Sequence, residues 1–105
     1  MSLYFRKTRD ALKRAFPNVK VSVRIADIRQ DVCGDTRRNE TGYLVRIAKG
    51  QPSQVMLDTL VHEFAHCLAF DEWEKTQSHG PKWGVAFAEC YLVYESTVTD
   101  KKLNG

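Results

Sequence analysis

The chain has 105 residues and three histidines, His62, His66 and His79, and two of these frame a glutamate in Val61-His62-Glu63-Phe64-Ala65-His66. Two imidazoles and a carboxylate at His-Glu-x-x-His spacing are the parts of a metal site with a base attached. On a helix of about 3.6 residues per turn, positions four apart share one face, one turn above each other. Two imidazoles placed that way reach one ion at the roughly 2.0–2.1 Å of a zinc–nitrogen bond. Glu63 projects from the flank of that face, where it holds a water without being a ligand. The spacing therefore predicts a single zinc ion with Glu63 as general base, and hydrolysis by a metal-activated water.

A catalytic zinc commonly takes a third protein ligand and keeps its fourth position open. His79 is the leading candidate, because Gly80-Pro81 would hold it at the mouth of a following helix. All the histidines of the chain then fall into one arrangement. Glu89 and Glu95 are the alternatives if the third ligand is a carboxylate. An extended histidine pattern would need Gly at 69 and His at 72, but the residues are Ala69 and Glu72. Asp58 or Asp71 could orient a ligand histidine, and Tyr43, Tyr91 and Tyr94 are candidate donors to a tetrahedral oxyanion.

The elements that must carry these groups are legible from periodicity. Ser53 is a plausible N-cap for a helix running to about Phe70. At about 100° per residue, Leu57, Leu60, Val61, Phe64 and Leu68 fall within one arc of roughly 100°, with His62 and His66 almost opposite. One side packs and the other opens on a cleft. Ser2 to Phe16 reads as an amphipathic helix that Pro17-Asn18 ends. Val19, Val21, Val23 and Ile25 alternate with polar residues as in a half-buried strand, and Gly42 to Lys49 alternates likewise. Asp31 to Asn39 is harder to read, with Cys33-Gly34-Asp35 as a bend in a short second strand. Pro81 suits the first turn of a last helix through Trp83, Phe87, Cys90, Tyr91 and Tyr94, where Trp83 and Phe87 pack onto the histidine helix. From Thr97 the tail is polar and is expected to fray. The order predicts an α+β domain spanning 1–105, with helices on one face of a small mixed or antiparallel sheet of about three strands.

Composition bounds the class. The hydrophobic fraction is 43% and the charged fraction 28%, as in a globular protein. No apolar run approaches the roughly 20 residues of a membrane helix, so no membrane role is expected. Cys33, Cys67 and Cys90 are odd in number and form no Cys-x-x-Cys pair, which favours a reducing cytoplasm over a disulfide framework. Cys67 points to the core and Cys33 to a strand turn. Residues 1–49 hold twelve Lys/Arg against five Asp/Glu, a net +7, while the remainder holds four against eight. The plain reading of that asymmetry is solvated surface; the functional one is weak, non-specific DNA binding through the basic N-terminal half.

From Ser53 to Tyr94 the chain resembles the catalytic core of the SprT-like zinc metallopeptidases. The resemblance rests on Leu60-Val61-His62-Glu63-Phe64-Ala65-His66 and on His79-Gly80-Pro81-Lys82-Trp83, which takes that family's His-Gly-x-x-aromatic form. It implies His62, His66 and His79 as zinc ligands, Glu63 as the catalytic residue, an intracellular zincin-like fold and a protein or peptide substrate, in better-known members one attached to DNA. The cysteine zinc ribbon that longer members carry after the last helix has no counterpart in these 105 residues. The contrasting class is a zinc-stabilised module that binds protein or nucleic acid without turnover. Glu63 argues against it, since a structural site needs no base.

Overall fold

The computed structural model describes residues 2–29, 31–69 and 80–104. Helix α1 (Leu3–Ala15) starts where Ser2 caps it, its Oγ accepting the Phe5 N–H at 3.2 Å. It ends at Phe16, just before Pro17, which cannot continue the ladder. Strands β1 (Val21–Ala26), β2 (Gly34–Arg38) and β3 (Tyr43–Ala48) follow, then α2 (Ser53–Leu68) and α3 (Pro81–Asn104).

Three boundaries differ from the sequence expectation, the first being that β1 begins at Val21, so that Val19 precedes it. Ser53 is the first helical residue of α2, not its cap. Pro52 holds the cap position with no side-chain hydrogen bond, and its carbonyl accepts the Met56 N–H. Nor does the chain fray at Thr97, because α3 continues to Asn104. No Gly or Pro interrupts 85–104, and the Thr97 hydroxyl satisfies itself within the helix by donating to the Tyr94 carbonyl at 2.7 Å.

The sheet is mixed, in the order β1-β3-β2. β1 runs parallel to β3 with Val23 opposite Val45, and β2 runs antiparallel to it with Thr36 opposite Val45. The period of two then sorts the side chains. Val21, Val45 and Ile47 are buried on the inner face, which Thr36 shares. Arg24, Arg46, Asp35 and Arg37 lie on the outer face, where Arg46 grips Asp35 through both carboxylate oxygens. That grip, together with the Arg46 charge, holds the Asp35 carboxyl below the usual range. The β2–β3 hairpin turns on Asn39, whose side-chain oxygen accepts the N–H groups of Thr41 and Gly42.

Helix α2 packs against β2 and β3 on one side and against α1 and α3 on others. Its buried residues are therefore more numerous than a single stripe: Leu57, Leu60, Val61, Glu63, Phe64, Ala65 and Cys67. At about 100° per residue these span roughly 200° of the helix circumference, twice the arc that periodicity alone outlines. The core is completed by Phe5 and Leu12 of α1 and by Ala86 and Cys90 of α3. His62 and His66 remain on the half-buried remainder of α2. Among the described residues, no helix is long and apolar enough to cross a membrane.

Candidate metal centre

The geometry of α2 brings His62 and His66 together as the spacing requires. Their Nε2 atoms lie 3.2 Å apart and their rings stand edge to face, centroids 4.9 Å apart. Two zinc–nitrogen bonds meeting at a tetrahedral angle span about 3.3 Å between the nitrogens. The pair thus already has the separation of two ligands on one ion. With a Glu63 carboxylate oxygen they form a group whose ligating atoms all lie within 4.8 Å of one another, so it could hold a metal ion. Among the described residues it is the one such group of three or more His, Cys, Asp or Glu.

Trp83 of α3 fixes the imidazoles from behind. Its ring centroid lies 5.1 Å from that of His62 and 5.7 Å from that of His66. The indole N–H donates to the His62 carbonyl at 3.4 Å, and Phe87 stacks on the indole at 4.9 Å. A long apolar partner on the histidine face gives each ring a wall, and α3 supplies it as the sequence predicts.

Glu63 is only 8% exposed, an unusual position for a carboxylate. Two features make it tenable. The Thr36 hydroxyl on β2 donates to its Oε1 at 2.7 Å, and its Oε2 lies 3.8 Å from His62 Nε2. One oxygen is therefore tied to the sheet while the other faces the imidazoles. Thr36 also lies 3.2 Å from the Glu63 carbonyl. Sequence reasoning missed Thr36 because 31–39 showed no clear period. The signal available was its parity with Gly34, which puts it on the inner face once β2 is recognised.

Beside this group runs an open groove of about 440 Å³, lined by Asp31, Val32, Cys33, Gly34, Asp58, Thr59, His62 and Glu63. Asp58 is thus near the site, accepting a hydrogen bond from Gln54 at 2.9 Å. Cys33 is exposed on the groove wall, and its carbonyl accepts from Ala48 and Gln51. Cys67 and Cys90 are free and buried, and burial pushes both thiols up to about 12, leaving them protonated packing residues.

Of the other candidates, those among the described residues are not gathered here. His79 and Asp71 lie outside the described residues. Glu89 lines a different groove with Leu68, Ala69 and Val85, and Glu95 is exposed on α3. Tyr94 accepts from Gln54 at the start of α2, two turns and more before His62. Tyr91 packs against Phe87 and Tyr94, and Tyr43 sits half-buried on β3. None of the three tyrosines lines the groove at His62 and Glu63.

The model of the SprT-like family matches residues 2–102, nearly the whole chain and well beyond the motif region. No curated protein and no solved structure matches the chain.

Proposed function

Taking as premise that the chain belongs to the SprT-like family, we propose that it is a zinc-dependent metallopeptidase of zincin-like fold that hydrolyses peptide bonds in protein or peptide substrates. The observation that carries this reading is the convergence of His62 and His66 at 3.2 Å beside a carboxylate that is buried yet aimed at them. A metal held only to stabilise the fold has no use for a base at that position.

His62 and His66 are assigned as ligands from α2, and His79 as the third on the strength of the family motif. When bound, zinc supplies Lewis acidity, lowering the pKa of a water toward about 7 and polarising the scissile carbonyl. Glu63 accepts the proton of the attacking water and passes it to the leaving amine. Trp83 keeps the two imidazoles in register. The groove along Cys33, Asp58 and Thr59 gives an extended substrate room to lie against β2. The free, buried state of Cys67 and Cys90 suits a reducing cytoplasm.

Replacing Glu63 by Gln tests the chemistry, because the amide has nearly the same shape and cannot take a proton at neutral pH. With fluorescein-labelled casein as substrate, zinc-loaded wild type cleaves, and Glu63→Gln retains zinc and melting temperature while losing at least about 10²-fold in rate. Equal rates for the two proteins, or no cleavage by either, would overturn the assignment.

Nucleic acid is proposed as a second kind of partner. Arg6, Lys7, Lys13 and Arg14 are exposed on α1, and Arg24 and Arg37 are exposed on the outer face of the sheet.

A further inference from the structure

A base is useful only when its carboxylate is held in one orientation. On α2 a glutamate side chain has three rotatable bonds, and within the helix its carboxylate meets only the His62 imidazole, at 3.8 Å, among the contacts described. Thr36 supplies a restraint from a different element. Its hydroxyl carries one proton, and of the two oxygens within reach the carboxylate Oε1 at 2.7 Å is nearer than the Glu63 carbonyl at 3.2 Å. Bonds to an ionised acceptor are the shorter and stronger kind, so the proton belongs to the carboxylate.

The backbone is arranged to make that reach short. At Gly34, two residues before Thr36 on the same face of β2, a Cβ would lie 2.6 Å from Thr59 Cγ2 of α2. The strand passes α2 at a distance only glycine permits. Register then places Thr36 opposite the fully buried Val45, with its side chain turned toward α2.

We propose that Thr36 is a positioning residue for the general base: it pins Glu63 Oε1 to the sheet so that Oε2 alone faces the histidine pair. The proposal rests on the peptidase reading for its consequence in catalysis, but the pinning itself can be measured apart from turnover. A plainly structural Thr36 would tie β2 to α2 and affect stability only.

Acetohydroxamic acid separates these roles. Hydroxamates chelate zinc and present a hydroxyl to a neighbouring carboxylate, so their affinity for the zinc-loaded protein reads where that carboxylate points. Isothermal titration calorimetry reports binding. Thr36→Val keeps the shape and removes the hydroxyl; Thr36→Ser keeps the hydroxyl. The expected result is about a tenfold loss of hydroxamate affinity in Thr36→Val, as for a lost hydrogen bond to a charged group. Thr36→Ser should recover most of it, and zinc affinity by chelator competition should be unchanged in both. With labelled casein, Thr36→Val should lower kcat about tenfold with KM little altered. Should Val disturb packing, Thr36→Ala and Thr36→Ser differ only by the oxygen: Ser binding hydroxamate more tightly supports the role, and equal affinity overturns it. Wild-type affinity and kcat in Thr36→Val also overturn it, while leaving the peptidase reading intact. Absence of casein cleavage by wild type removes the peptidase reading instead, and the hydroxamate comparison then decides Thr36 alone.

Discussion

At the scale of single residues, the site divides into groups that one helix supplies and groups that other elements must bring. His62 and His66 are brought to one face by helical geometry, which is why their 3.2 Å approach was legible from a spacing of four. Glu63 was legible as a neighbour of the histidine pair but not as a buried one, because burial of a flank residue depends on what packs beside it. The proposed third ligand, His79, belongs to the second kind. His79 stands thirteen residues after His66, and no periodicity connects the two. Its role is therefore tested directly: His79→Ala should lower zinc affinity by more than about 100-fold, beyond what loss of an outer partner costs. Zinc content after dialysis against a weak chelator measures it. Unchanged affinity would pass the role to Glu89 or another residue.

At the scale of elements, the parts read most surely from the sequence were those with a single strong period. The α1 stripe, the alternation of Val21, Val23 and Ile25 and that of Tyr43, Val45 and Ile47 lie on the strands and helix observed, with Val19 of the expected strand falling just before β1. β2 resisted because Gly34-Asp35-Thr36-Arg37-Arg38 has no apolar residue on either face; its pairing with β3 and its proximity to α2 hold it in place. The end of α3 was misjudged for a related reason: polar residues at 99–102 look like a tail, yet nothing among them breaks a helix. The close pass of β2 over α2 carries a prediction of its own. A methyl at Gly34 would meet Thr59 Cγ2 at 2.6 Å and the Arg46 carbonyl at 2.7 Å, both too near. Gly34→Ala should therefore destabilise by about 1–3 kcal/mol, the usual cost of overpacking, in urea denaturation. Thr59→Ser removes only the first obstacle, so adding it should restore part of the loss. A Gly34→Ala protein as stable as wild type would mean that the strand can back away from α2 without cost.

At the scale of the whole molecule, the sheet has one covered face and one face that no described helix packs upon, and charge is distributed accordingly. Residues 1–49 carry a net +7, and the rest of the chain a net −4. On the outer face Arg24 of β1 stands beside Arg46 of β3, in register, with Arg37 two residues beyond Asp35 on β2. Asp35 is occupied by Arg46, so one carboxylate answers three guanidinium groups. Neighbouring strands lie about 4.8 Å apart, which sets these cations close enough to meet successive phosphates of one strand. Such contacts carry no base information, so binding should be indifferent to sequence, with a dissociation constant of about 10⁻⁴–10⁻⁶ M at physiological salt. On duplex DNA, log affinity should fall against log salt by about 0.9 for each phosphate contacted. Two pairs of substitutions locate the contact. Arg24→Ala with Arg37→Ala should reduce the slope by about two if the sheet face is used. Arg6→Ala with Lys13→Ala should do so if α1 is used. Anisotropy of a labelled oligonucleotide at two salt concentrations reads both. No binding by wild type at low salt would leave the basic half as solvated surface.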